Sequence, residues 1–201
     1  MSSRREFMLS AGRGGLRTGL AAGVLYGTYS WFRREGKGPP VEDRGLLRPP
    51  GALGEASFLA SCIRCDLCAQ VCSTQCIRLF DVAAGRLAGT PYILARDRAC
   101  NLCLECTLVC PSGALTPLSD RARVEMGTAK VDERLCVSLN GSGVCGACHT
   151  ICPLRNKAIT QGLFNAPTVN REHCVGCGLC EEACIVEDPG AIRVVSGRSW
   201  S

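Results

Sequence analysis

Cysteine recurs through this chain in a fixed pattern. The first group is Cys62, Cys65, Cys68 and Cys72, and the second is Cys100, Cys103, Cys106 and Cys110. The third is Cys136, Cys145, Cys148 and Cys152, and the fourth is Cys174, Cys177, Cys180 and Cys184. Three groups keep an x2-x2-x3 spacing; the third opens its first gap to x8. The groups begin 36 to 38 residues apart, which marks an internal repeat. The chain has 201 residues, 17 of them Cys, and only 5% aromatic residues. A core this poor in aromatic side chains needs cross-links or metal to hold it.

The spacing selects the metal chemistry. Three thiolates at x2 intervals wrap three iron corners of one [4Fe–4S] cubane from a tight loop. The fourth, after x3, sits on the helical turn that follows and points to the other cluster of a pair, as in two-cluster bacterial ferredoxins. Pro111 and Pro153 supply the Cys-Pro ending of the bacterial run; Ser73 and Ile185 replace it in the other two groups. Gly146, Gly176 and Gly178 suit a backbone folded closely around a cluster. Structural zinc uses separated Cys pairs and has no role for a third Cys three residues on. A disulfide scaffold is disfavoured by the odd Cys count and by x2 spacing within one turn. The reading is four [4Fe–4S] clusters held by these sixteen Cys. Cys76 stands outside the pattern and reads as a small buried apolar residue. His149 and His173 adjoin Cys148 and Cys174 and read as partly exposed neighbours. There is no Gly-rich nucleotide loop, no Ser/His/Asp set and no group short of a thiolate, so no catalytic residue is assigned.

Between the groups, short apolar runs alternate with turn signals. Ile77–Phe80 with Tyr92–Ala95, Ala114–Thr116 with Thr128–Val131, and Ala158–Gly162 with Pro167–Val169 read as strands of hairpins, and 191–195 as a final edge strand. The x3 pieces begin short helices. The expected fold is α+β: two ferredoxin-like units, each enclosing two [4Fe–4S] clusters, built from short hairpins and short helices. Adjacent pairing joins the first group with the second and the third with the fourth. Nested pairing joins the first with the fourth and the second with the third. Nesting puts both Cys-Pro groups in one unit, and that symmetry favours it.

Charge places the remaining functions. Residues 1–37 carry seven Arg or Lys against Glu6 and Glu35, leaving 16 basic and 16 acidic residues in the rest of the chain. The whole excess of +5 is therefore N-terminal, and a basic nucleic-acid face on the body is not expected. Arg4-Arg5 precedes an uncharged stretch, Thr18 to Phe32. As a helix those 15 positions span roughly 22 Å, short of the ~30 Å hydrocarbon core. The layout is that of an export signal, and Ser3-Arg4-Arg5-Glu6-Phe7-Met8 resembles the twin-arginine (Tat) type. Residues 1–37 are read as a Tat-type signal or anchor, 38–57 as a Pro/Gly-rich extended linker, and 58–201 as the four-cluster region.

Several further motifs carry a resemblance to a known family. These are Arg48-Pro49-Pro50-Gly51-Ala52, Gly89-Thr90-Pro91-Tyr92, Cys110-Pro111-Ser112-Gly113-Ala114-Leu115, Met126-Gly127, Lys157-Ala158-Ile159-Thr160 and Pro167-Thr168-Val169. With the Tat-like start and the extended first gap of the third group, the chain resembles the NapG/MauM-type periplasmic ferredoxins. Its second group is compact, whereas NapG-like proteins often have a longer gap before the third Cys. The resemblance implies a non-catalytic electron carrier at the outer face of the cytoplasmic membrane. It implies a polytopic NapH-type membrane iron–sulfur partner that oxidises quinol, and periplasmic redox proteins of a nitrate-reductase pathway as acceptors. Association with the membrane would come through that partner or the N-terminal segment. A MauM-type role in methylamine utilisation, or an accessory role in assembling a redox enzyme, is the alternative.

Overall fold

A computed structural model describes residues 45–198 and residue 200. The expected signal segment and residues 38–44 of the expected linker lie outside the described residues. Among the described residues no helix is long and apolar enough to cross a membrane. The elements are β1 (Leu46–Leu47), α1 (Glu55–Ser61), α2 (Leu67–Gln70), β2 (Ile77–Leu79), β3 (Pro91–Leu94), α3 (Glu105–Leu108), β4 (Thr128–Val131), α4 (Ala147–Ile151), β5 (Ile159–Gln161), β6 (Pro167–Val169), α5 (Leu179–Glu182) and β7 (Ile192–Val195).

One local rule makes the four short helices. The residue two before the third Cys of each group is left-handed: Asp66 (φ 65), Leu104 (φ 66), Gly146 (φ 117) and Gly178 (φ 88). Each of α2, α3, α4 and α5 starts at the next residue. In three groups a second left-handed residue precedes the middle Cys: Arg64, Leu102 and Gly176. Left-handed residues alternating with right-handed ones curl the chain so that successive N–H groups face inward, a nest for negative charge. The third group, with its x8 gap, has only the later of the two turns.

The strands close two copies of one plan. In the first copy β2 and β3 form an antiparallel hairpin between the first two Cys groups, with Ile77 opposite Ile93. Ahead of the first group, Ala52 bridges to Leu115 behind the second, and Thr116 N–H donates to Gly51 O at 2.8 Å. In the second copy β5 and β6 form the hairpin, with Ile159 opposite Val169. Here β4 ahead of the third group pairs with β7 behind the fourth, Thr128 opposite Val195. The expected hairpin of Ala114–Thr116 with Thr128–Val131 is therefore corrected. Each segment pairs instead with the far end of its own copy, which buries Leu115, Ala129 and Val194 in the core.

Residues 45–57 differ from the extended linker expected of them. Leu46 and Leu47 add β1 to the edge of β3, and the Arg48 side chain is fully buried. Its guanidinium lies 4.5 Å from the Phe58 and Trp200 ring centroids. It pairs with Glu55 at 2.5 Å and donates to Thr90 Oγ1 at 2.9 Å. Arg198 donates to the carbonyls of Ala52 and Leu53. Proline and glycine here shape a buried turn rather than a spacer. A single apolar core runs through both copies, including Phe58, Ile93, Leu102, Leu115, Ile159, Val175 and Val194. A smaller one gathers Leu46, Leu87 and Trp200 beside Phe80 and Tyr92.

Candidate metal centres

Each curled loop presents its three Cys to one side, and a remote Cys from the neighbouring group closes the ring. Cys62, Cys65 and Cys68 share a cavity with Cys110, walled by Phe58, Leu79 and Leu115. Cys136, Cys145 and Cys148 share one with Cys184. Cys174, Cys177 and Cys180 share one with Cys152. At the second group, Cys106 lies in electrostatic range of Cys103, Cys68, Cys72 and Cys76, and Cys76 hydrogen-bonds with Cys100. The turn after Cys72 is seated on this loop, with Ser73 Oγ 3.9 Å from Cys103 Sγ and 3.3 Å from Asn101 Nδ2. The four sites are called here by the group that supplies three Cys.

This arrangement corrects nested pairing. The remote Cys comes from the adjacent group at all three thiol-lined cavities, and Cys72 lies beside the second loop. The β2–β3 hairpin returns the second group to the side of the first, where α2 packs on α3. The β5–β6 hairpin does the same for the third and fourth, where α4 packs on α5. The Cys-Pro ending that favoured nesting lies after the last thiol and does not govern which loop that thiol faces.

The donor set fits a polynuclear cluster. Each of the three cavities gathers four thiols around one small space. Among the described residues no group of His, Cys, Asp or Glu converges on a single metal ion; the thiols surround a space instead. All 17 Cys are free thiols. Burial pushes the Cys68 and Cys106 thiols up to about 12, with the charge of neighbouring thiols adding to it. Burial likewise raises Cys148 and Cys177 to about 11, and raises Cys152 and Cys180. Such thiols become thiolates when a cation replaces the proton. Backbone N–H groups already face several sulfurs: Leu102 to Cys100, Leu115 to Cys110 and Ala129 to Cys174, each at 3.4 Å. Burial raises Cys110 as well, but the donors from Leu115, Ser112 and Ala114 outweigh it and hold this thiol below its ordinary value.

Cys76 is buried, as expected, but not as a bystander: its Sγ is 3.6 Å from Cys72 Sγ. His149 is half-buried and bonds Asn156 Oδ1 at 2.8 Å, and His173 is exposed. Three polar residues at the junction of the two copies were not singled out from the sequence. Glu181 Oε2 accepts from Val194 N–H at 2.6 Å, and Glu182 Oε2 accepts from Ala99 N–H at 3.0 Å. Arg96 donates to the carbonyls of Glu181, Cys184 and Val186. Charged residues inside and between ligand runs were the only signal for them.

Family models agree with the geometry. A 4Fe-4S dicluster domain matches residues 61–114, spanning the first and second groups together, and a 4Fe-4S binding domain matches residues 167–187. The fold and its thiol-lined cavities thus define a ferredoxin-type iron–sulfur protein. The chain is 39% identical to the methylamine utilization ferredoxin-type protein MauM of Methylobacillus flagellatus over 167 residues, 78% of this chain and 70% of that protein. It is 40% identical to the ferredoxin-type protein NapG of Escherichia coli over 164 residues, 74% of this chain and 70% of that one. To NapG of Haemophilus influenzae it is 37% identical over 210 aligned positions, covering 96% of this chain and 71% of that protein. The chain belongs to the NapG/MauM family of ferredoxin-type proteins.

Proposed function

We propose that this protein binds four [4Fe–4S] clusters through the sixteen Cys of its four groups and relays single electrons. The observation that carries this reading is the closure of each three-Cys loop by a thiol from the adjacent loop. When bound, each cluster supplies one-electron chemistry at low reorganisation. The chain's own residues do the rest. The thiolates fix the clusters, the N–H groups of Leu102, Leu115 and Ala129 stabilise charge on sulfur, and the apolar walls exclude water. None of these steps needs a catalytic acid, base or nucleophile, so the protein is an electron-transfer subunit rather than an enzyme.

The donor we propose is a quinol-oxidising membrane iron–sulfur protein of the NapH type, and the acceptor a periplasmic oxidoreductase of the nitrate-reductase type. The export reading of residues 1–37 supports a periplasmic site of action. Near-equal similarity to MauM supports the shared carrier role and makes methylamine oxidation the second pathway to test. Anaerobic purification of the full chain, with iron and sulfide quantification and an EPR-monitored titration, tests the reading. The expected result is about sixteen irons per chain and one-electron reduction waves. Colourless protein, or zinc alone, would sink it.

A further inference from the structure

Resting on that four-cluster reading, we infer that the protein is a linear wire in the spatial order first, second, fourth, third, and that electrons enter and leave only at the first and third sites. Sequence order alone would put the third site next to the second. The structure does not. The first and second sites adjoin because Cys68 and Cys72 lie on one short helical turn and face different rings. The third and fourth adjoin likewise through Cys148 and Cys152. The second and fourth loops meet directly. Cys100 N–H, in the second loop, donates to Cys177 O, in the fourth loop, at 3.0 Å. Ala99 N–H, just ahead of Cys100, donates to Glu182 Oε2 in α5 at 3.0 Å. Gly178 lies so close to Ala95, in the first copy, that a Cβ there would collide. The fourth loop thus lies against the first copy, and among the described residues no hydrogen bond joins the third loop to the second.

Burial divides the sites in the same way. The buried Cys of the four groups are Cys72, Cys100, Cys106, Cys177 and Cys180, all of them in the second and fourth sites. At the first site Cys65 is exposed, and so are Ile63 and Arg64 between the thiols. In the second loop Leu102, which matches Arg64, is fully buried although Asn101 beside it is exposed, and in the fourth loop Val175, which matches Ile63, is 5% exposed. At the third site Ser142 and Val144 ahead of Cys145 are exposed, and no Cys of that ring is buried. Electron exchange between proteins falls steeply with separation, so the two wrapped sites are insulated and the two open ones are ports. One electron moves per step, from the quinol-oxidising donor into one port and out of the other. No bond or proton need move within the chain.

The test is EPR power saturation of the full, iron-loaded chain, reduced anaerobically with dithionite, with and without a soluble dysprosium chelate. The relaxing agent is expected to raise the half-saturation power of two cluster signals severalfold and leave two nearly unchanged. Cys65→Ser and Cys145→Ser should alter or remove the relaxed signals; Cys103→Ser and Cys180→Ser should alter or remove the protected ones. A variant that loses its cluster assigns the signal as well as one that shifts it. In Cys103→Ser the fourth-site line should also change, through lost spin–spin coupling, while the third-site line should not. Equal relaxation of all four signals, relaxation of the inner pair, or a changed third-site line overturns the proposed order. An iron content well below sixteen in the unmodified chain overturns the four-cluster reading itself, whereas full iron with uniform relaxation overturns only the wire.

Discussion

Arg64, Asp66, Leu102 and Leu104 hold left-handed backbone beside the thiols, with φ between 59 and 66°. None of them is glycine, and each costs about 1–2 kcal/mol in that region. The curl they make is what turns N–H groups toward sulfur, as from Leu102 to Cys100. Leu102 and Leu104 offset the strain by burying their side chains. Asp66 has little to offset it: it is not fully buried, its side chain makes only a 3.4 Å contact with Gln70 and it caps no N–H of α2. Asp66→Gly should therefore raise the stability of the iron-loaded chain by up to about 1 kcal/mol. Asp66→Val should lower it, since a β-branched side chain tolerates this φ worst. Anaerobic thermal unfolding of the two variants checks this, and a less stable glycine variant would show that the Asp66 carboxylate has another task.

Among elements, the junction between the two copies depends on close backbone approach at the fourth loop. A Cβ at Gly178 would strike Ala95, and its φ of 88° disfavours any side chain. Gly178→Ala should cost about 3 kcal/mol or more, from backbone strain and overpacking together. Gly54→Ala is the control, because nothing lies within 4 Å of a Cβ there. Urea midpoints of the iron-loaded variants measure the difference, and equal midpoints would mean the fourth loop can shift without loss. Elements of this kind were partly legible in the sequence. The β2–β3 and β5–β6 hairpins could be read because each apolar run faces its partner across one local turn. The β4–β7 pair could not, since its strands lie more than sixty residues apart and only the closure of a whole copy brings them together. The three-plus-one division of each Cys group followed from the helical turn after x2-x2. Which loop each remote Cys faces did not, because that depends on how the hairpins fold back. Pro49, Pro50 and Gly51 have the composition of a linker, and only the burial of Arg48 between Phe58 and Trp200 reveals a structural turn.

For the molecule as a whole, the same thiols work for or against the fold depending on what they hold. Without metal, Cys68 and Cys106 rise from 9.0 to about 12, and Cys148 and Cys177 to about 11, chiefly through burial. A thiol raised in this way keeps its proton better in the fold than in the open chain. It therefore adds stability at pH values below 9, and that contribution is lost as pH rises through the range up to about 12. With iron in place the sign reverses. The ligands must be thiolates, so protons compete with metal and the loaded chain is weakened by acid. Metal-free chain, stripped anaerobically, should show a urea midpoint that falls between pH 8 and 10.5. Loaded chain should lose its visible absorbance to an iron chelator faster at pH 6 than at pH 8. A metal-free midpoint that rises with pH would mean the buried thiols are already ionised in the fold. The N–H donors around these sulfurs would then outweigh burial, as they do at Cys110.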